Sequence, residues 1–201
     1  MADIQRLIVG ISGASGVIYG VRLLAMLREL GIETHLIMSK AAEVTLAHET
    51  TLKVADVQAM AHTCHGVADL AAGPASGSFP CQGMIVAPCS IRSMSEIAVG
   101  TTTSLLTRAA DVTLKERRRL VLMVRETPLH LGHLRTMTAL AEMGAIIAPP
   151  VPAFYARPEG LEAMVDHTLG RVLDLFGLAV PQLKRWGESA PARPLRRNTP
   201  V

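Results

Sequence analysis

Five short aliphatic runs constrain this chain more than any other feature: residues 6–11 (RLIVGI), 33–38 (ETHLIM), 84–88 (MIVAP), 120–124 (LVLMV) and 145–148 (AIIA). Each ends in a loop of small or charged residues. Runs without polar alternation suit strands covered on both faces. Helical spacing occupies much of the sequence between them. Val17, Val21, Leu24, Met26 and Leu27 lie near one face of a helix that stops at Gly31, and further helices are expected from Ser39-Lys40 to Glu49 and over 103–116, 131–143 and 159–176. Residues 51–72 read as mainly helical, Gly73–Gly83 has no period, and the third run ends in Cys89-Ser90-Ile91-Arg92-Ser93. Strands alternating with helices predict an α/β fold, a single doubly wound parallel sheet. No repeat or linker divides the chain, so residues 1–187 are expected to form one domain and the Pro/Arg-rich 188–201 a loose tail.

Composition narrows the partners. Aromatics are only 3%, so the core is aliphatic, and the mean hydropathy of +0.32 excludes a disordered chain. The net charge of +3 would suggest nucleic acid, but Lys184, Arg185, Arg193, Arg196 and Arg197 against Glu188 more than account for it. The body is near neutral, so no nucleic-acid partner is expected. No apolar run approaches the ~20 residues of a membrane span. Cys64, Cys81 and Cys89 form no CxxC, which points to a reducing, cytoplasmic setting.

Open parallel sheets bind ligands beyond the carboxyl ends of their strands. Those ends are Ser12–Gly16, Ser39-Lys40, Ser90–Ser93, Arg125-Glu126 and the loop after 148. Gly, Ser and cations there suit an anion, and a phosphorylated ligand is expected, its phosphate at the Ser12–Gly16 turn with Gly13 letting the backbone come close. The spacing Gly10-x-x-Gly13-x-x-Gly16 is not GxGxxG, Ser39-Lys40 stands where NAD wants an acid, and Val17-Ile18 replaces a Walker lysine. Cys89 reads as an apolar filler. His62-x-x-His65 and His130-x-x-His133 lack an obvious third ligand, so no metal site is expected, and Arg117–Arg119 reads as a solvated face.

Eight ordered segments then carry a resemblance: Gly10–Gly16 with Tyr19-Gly20, Met38–Ala41, Pro74–Ser78, Pro88–Ser90, Arg108–Asp111, Leu114–Arg118, Arg125–Pro128 and Pro152–Tyr155. Together they closely resemble the UbiX-type flavin prenyltransferases. The resemblance implies a flavodoxin-like, Rossmann-like three-layer sandwich. It implies transfer of a dimethylallyl group from dimethylallyl monophosphate to N5 and C6 of reduced FMN, without metal. The product would be the prenylated FMN of a UbiD-type decarboxylase in ubiquinone biosynthesis and aromatic-acid metabolism, and the enzyme a homo-oligomer, typically a dodecamer. By motif, Gly13, Ala14, Ser15, Ser39, Ser90, Ile91, Arg92, Ser93 and Arg125 would hold FMN. Tyr155 and Arg171 would bind the prenyl phosphate, with Arg108, Lys115 and Trp186 also on the substrate side. Ser15, Glu49, Lys115 and Glu126 would serve catalysis. Arg185-Trp186-Gly187-Glu188 is similar to a C-terminal motif that closes over a neighbouring site, and Leu70 stands where some relatives place a Trp. The chain also resembles phosphopantothenoylcysteine decarboxylases in its phosphate turn, but their Pro-x-Met-Asn-x-x-Met stretch is absent.

Overall fold

A computed structural model describes residues 5–181 and 183–187, in two compact units that divide after Val151. The tail expected at 188–201 and Glu188 lie outside the described residues.

The first unit is a single parallel sheet of six strands, with helices on both sides. In chain order the elements are β1 (Arg6–Ile11), α1 (Ile18–Glu29), β2 (Glu33–Met38), α2 (Lys40–Glu49), α3 (Val54–Gln58) and β3 (Thr63–His65). There follow β4 (Gly83–Cys89), α4 (Ile91–Ala98), α5 (Leu105–Lys115), β5 (Arg119–Val124), α6 (Leu131–Glu142) and β6 (Ile146–Ile147). The strand order is β3-β2-β1-β4-β5-β6. Winding therefore reverses between β1 and β4, and such a switch point opens a crevice at the strands' carboxyl ends. β1 pairs with both neighbours, Val9 lying opposite Leu36 on one side and Ile85 on the other. Burial on both faces explains the unbroken apolar runs: Ile8, Met84, Val86, Leu120 and Leu122 face one layer with Met94, Leu105, Leu106 and Ala109, and their strand neighbours are equally buried.

Two expectations fail. Residues 51–72 are not mainly helical; only Val54–Gln58 is, and Thr63–His65 is a sixth, edge strand. Three residues are too few to display a period, and tertiary contacts hold them in place. His35 Nδ1 and His65 Nε2 are 2.8 Å apart and the rings stack at 5.1 Å, while His62 Nδ1 accepts the Thr34 N–H at 3.2 Å. Nor is a helix expected directly after the third run, yet α4 begins there. Ser90 caps α4, accepting the Ser93 N–H (3.2 Å), and only Met94 and Ile97 give that short polar helix a buried apolar face.

The second unit carries a 3-10 turn (Phe154–Ala156), α7 (Leu161–Asp174) and the segment 183–187. α7 buries Val165, His167, Leu169, Gly170, Val172 and Leu173.

Candidate active site

Where the strands end, their loops continue the pairing by one step. The Ser39 N–H donates to Ile11 O (2.9 Å) and the Arg125 N–H to Cys89 O (3.0 Å). Ser12, fully buried, spans the switch point. Its N–H and Oγ both donate to Pro88 O (3.2 and 2.9 Å), and its Oγ accepts the Ser90 N–H at 2.7 Å. From the sequence, Ser12 reads only as part of the turn. A buried polar atom must be paired, and a serine closing an apolar run was the available signal.

Two helices begin at this edge under serine caps. Ser39 Oγ accepts the Ala42 N–H (3.1 Å), and Ser90 Oγ donates to Ser93 Oγ (3.2 Å) while accepting from the Ser93 backbone. Their N-termini give a positive field suited to an anion. Ile91 and Arg92 lie in the first turn of α4, with the Arg92 guanidinium drawn along the helix to Glu96 (2.8 Å).

The Ser12–Gly16 turn differs from expectation. Glu49, the last residue of α2, accepts the Gly16 N–H (2.9 and 3.1 Å) and the Val17 N–H (2.9 Å). These amides start α1, whose N-cap Val17 has no capping side chain. Glu49 therefore supplies the anion that the helix start attracts, and a ligand phosphate does not share those two donors. Partial desolvation pushes the Glu49 carboxyl up, but the Ser15 hydroxyl, both amides and the Arg125 charge outweigh it and hold it below its ordinary value. The carboxylate is ionised and joined to Ser15. Ala14 is tied back to Ser12 O (2.9 Å).

Gly13 also has a packing role. A Cβ there would lie 2.3 Å from Ala41 Cβ, so the missing side chain lets α2 approach the turn. Its replacement would displace α2, and Glu49 with it.

Arg125 and Glu126 follow β5 as expected, both exposed. Arg125 acts on Glu49 and on Tyr19, whose hydroxyl is pushed up by burial and partly restored by the Arg125 charge. Glu126 accepts the Thr127 N–H (3.0 Å). Cys89 is fully buried, its thiol pushed up to about 12, which fits a filler and not a nucleophile.

Lys115 is not beside these residues. It ends α5, paired with Glu116, just before β5 begins, whereas Glu126 follows the end of β5. A strand of that length spans ~20 Å, so one chain cannot bring the two together. Arg108, earlier on α5, binds Asp111 (2.7 Å) and Ala75 O (3.2 Å). Arg118 is no solvated charge: its guanidinium donates to Phe79 O and Gly77 O at 2.7 Å each. His130 caps α6 through Nδ1, accepting the Gly132 N–H (3.0 Å), and stacks on His133. In the second unit, Tyr155 stands edge-on to Trp186 (5.4 Å), and Arg171 binds Asp174 (2.5 Å).

Comparison with known proteins gives this architecture its relatives. The Flavoprotein family model matches residues 1–173. A flavin prenyltransferase UbiX of Escherichia coli (strain K12) is 58% identical over 185 residues, covering 90% of this chain and 98% of that protein. The chain belongs to the UbiX-type flavin prenyltransferases. Among solved members, AnUbiX (PadA1) in complex with FMN and dimethylallyl pyrophosphate aligns with a TM-score of 0.89 at 47% identity, over 90% of this chain and 97% of that one. A dodecameric FMN-dependent UbiX-like decarboxylase from Escherichia coli O157:H7 aligns at 0.88 and 50% identity, over 90% and 98%.

Proposed function

We propose that this flavin prenyltransferase moves a dimethylallyl group from dimethylallyl monophosphate onto N5 and C6 of reduced FMN. The observation that carries the reading is the relative holding FMN and dimethylallyl pyrophosphate, which matches 90% of this chain. The strand-end donor set fits the flavin: two serine-capped helix starts, an exposed Arg125 and no acid at the end of β2. When bound, reduced FMN supplies the nucleophilic N5 and C6 positions.

Ser39, Ser90–Ser93 and Arg125 take the flavin phosphate. Gly13 and Ala14 form the floor of the turn. Glu49, ionised and bonded to Ser15, stands ready to receive at its carboxylate the proton lost when the second carbon bond forms. Glu126 is the second proton carrier at this edge, beside Arg125. Tyr155 and Arg171 hold the prenyl phosphate. The charge of the leaving phosphate falls to Lys115, Arg125 and Arg171. Because Lys115 and Glu126 flank opposite ends of β5, Lys115 acts in the site of a neighbouring copy, with Arg108 on the same helix. That arrangement requires a homo-oligomer, and the dodecameric relative supports one. A UbiD-type decarboxylase consumes the product. Among the described residues no helix is long and apolar enough to cross a membrane, and the thiols of Cys64, Cys81 and Cys89 are free; both suit the cytoplasm.

The test is anaerobic incubation with reduced FMN and dimethylallyl monophosphate, in EDTA, followed by mass and absorbance analysis of the released flavin. A flavin heavier by one five-carbon unit is expected. Bound but unaltered flavin would overturn the reading, and activity restored only by Mg²⁺ would overturn its metal-independent part.

A further inference from the structure

Three consecutive residues near the C-terminus are each anchored to one stripe of α7. Leu183 packs on Gly170 so closely that a Cβ there would meet its Cδ1 at 2.9 Å. The Lys184 carbonyl accepts from His167 Nε2 at 3.0 Å. Arg185 grips Asp174 with two bonds, Nη1 to Oδ2 at 2.8 Å and Nη2 to Oδ1 at 2.7 Å. Positions 167, 170 and 174 share a helix face. Lys184 Nζ adds a bond to Ala156 O (3.2 Å), beside Tyr155. The next residue, Trp186, is thereby held edge-on to Tyr155, whose ring also stands edge-on to His167 at 5.5 Å.

Asp174 is the centre of this clasp. It ends α7, where the helix dipole disfavours a carboxylate, yet the hydrogen bonds from Arg185, with the further attraction of Arg171, hold its carboxyl below the ordinary value despite partial desolvation. The same Oδ2 that takes Arg185 also takes Arg171 at 2.5 Å. One carboxylate thus orients Arg171, whose side chain is 55% exposed, and fastens the segment that carries Trp186.

We propose that Asp174 is a positioning residue for prenyl-phosphate binding, and that with His167 it latches the 183–187 segment so that Trp186, Tyr155 and Arg171 meet the donor as one preformed surface. This rests on the reading that Tyr155 and Arg171 bind that donor. The cation pair on Asp174 leaves an excess positive charge facing solvent, suited to a phosphate monoester. Trp186, 81% exposed beside Tyr155, suits its short apolar chain.

The experiment uses the full-length protein with reduced FMN and dimethylallyl monophosphate. Asp174→Asn, nearly isosteric, should raise KM for the prenyl phosphate about tenfold while FMN affinity moves less than about twofold. Asp174→Glu should recover part of the loss. The chain's single tryptophan reports the latch directly. Its emission should change in Asp174→Asn and in His167→Leu, and return toward the parent in His167→Gln, which keeps an N–H donor. The His167 pair carries the test alone if Asp174→Asn does not fold. Unchanged KM in Asp174→Asn and His167→Leu, while Arg171→Ala and Tyr155→Phe raise it, would overturn the latch and leave the donor site standing. Unchanged KM in Arg171→Ala and Tyr155→Phe would overturn the donor site, and the latch with it.

Discussion

At the edge where the strands begin, Arg118 donates to two loop carbonyls, and Arg6 pairs with Glu33 (2.8 Å) and lies 5.0 Å from the centroid of the Phe79 ring. Glu33 in turn accepts from His35 (2.9 Å). At the edge where the strands end, two helices begin under serine caps, Arg125 is exposed, and a carboxylate from a distant helix closes the glycine turn. Cations are present at both edges, so cation density does not locate the site. What separates the edges is how the polar groups are used. At the first they satisfy the chain's own carbonyls and carboxylates; at the second the helix fields and Arg125 point outward.

Substitutions at the two edges should therefore fail differently, the first in stability and the second in binding and turnover. The largest effect is expected at Glu49→Gln, which keeps an acceptor for the Gly16 and Val17 amides but removes the proposed proton acceptor. Prenylation should slow by roughly 10²- to 10³-fold with FMN retained, and rapid mixing with mass analysis should reveal unreacted flavin or a singly attached adduct. A normal rate would remove Glu49 from the mechanism and erase the distinction between the edges.

Next, Arg125→Ala should weaken FMN binding about thirtyfold, the value of a charge-assisted contact near 2 kcal/mol, while Arg6→Ala leaves it unchanged. Flavin fluorescence titration distinguishes them, and equal losses would break the comparison. Arg118→Met should do the reverse. Leaving the Phe79 and Gly77 carbonyls unpaired should cost about 1.5 kcal/mol, a fall of roughly 3–6 °C in Tm, with FMN affinity intact.

The smallest effect concerns pH. Hydrogen bonds from Arg6 and His35 lower the Glu33 carboxyl from 4.5 to about 2. The unfolded chain then takes up the proton first on acidification, so this stabilisation is present above about pH 4.5 and is lost as the pH falls toward 2. Glu33 is 40% exposed, so the contribution stays under about 1 kcal/mol. Melting curves should show a shallower acid dependence in Glu33→Gln, and an unchanged slope would remove Glu33 from the account.

Legibility of the fold followed burial. β1 and β2, each covered on both faces, match their aliphatic runs residue for residue. β3 did not announce itself, since its pairing depends on a histidine stack with a strand some 30 residues earlier. α4 was hidden because its first turn is Ser, Ile, Arg and Ser, residues that read equally well as loop. At the strand ends, Ser39, Ser90 and Arg125 could be located because each stands just past an apolar run. Gly13 reads from the sequence as room for a ligand phosphate, while the packing shows that its missing side chain makes room for Ala41.

The sequence by itself determined the alternation of strand and helix, the strand ends where a ligand is expected and the family, because each is written in local spacing or in short contiguous motifs. Only the tertiary structure decided that Glu49 reaches back 33 residues to cap α1, that Gly13 makes room for Ala41, that Lys115 lies at the opposite end of β5 from Arg125 and Glu126, and that residues 183–185 clasp α7. Periodicity reports which side of an element is buried. It carries no record of which distant backbone or carboxylate that side will meet, because this depends on where each crossover leaves the next helix once the sheet has packed.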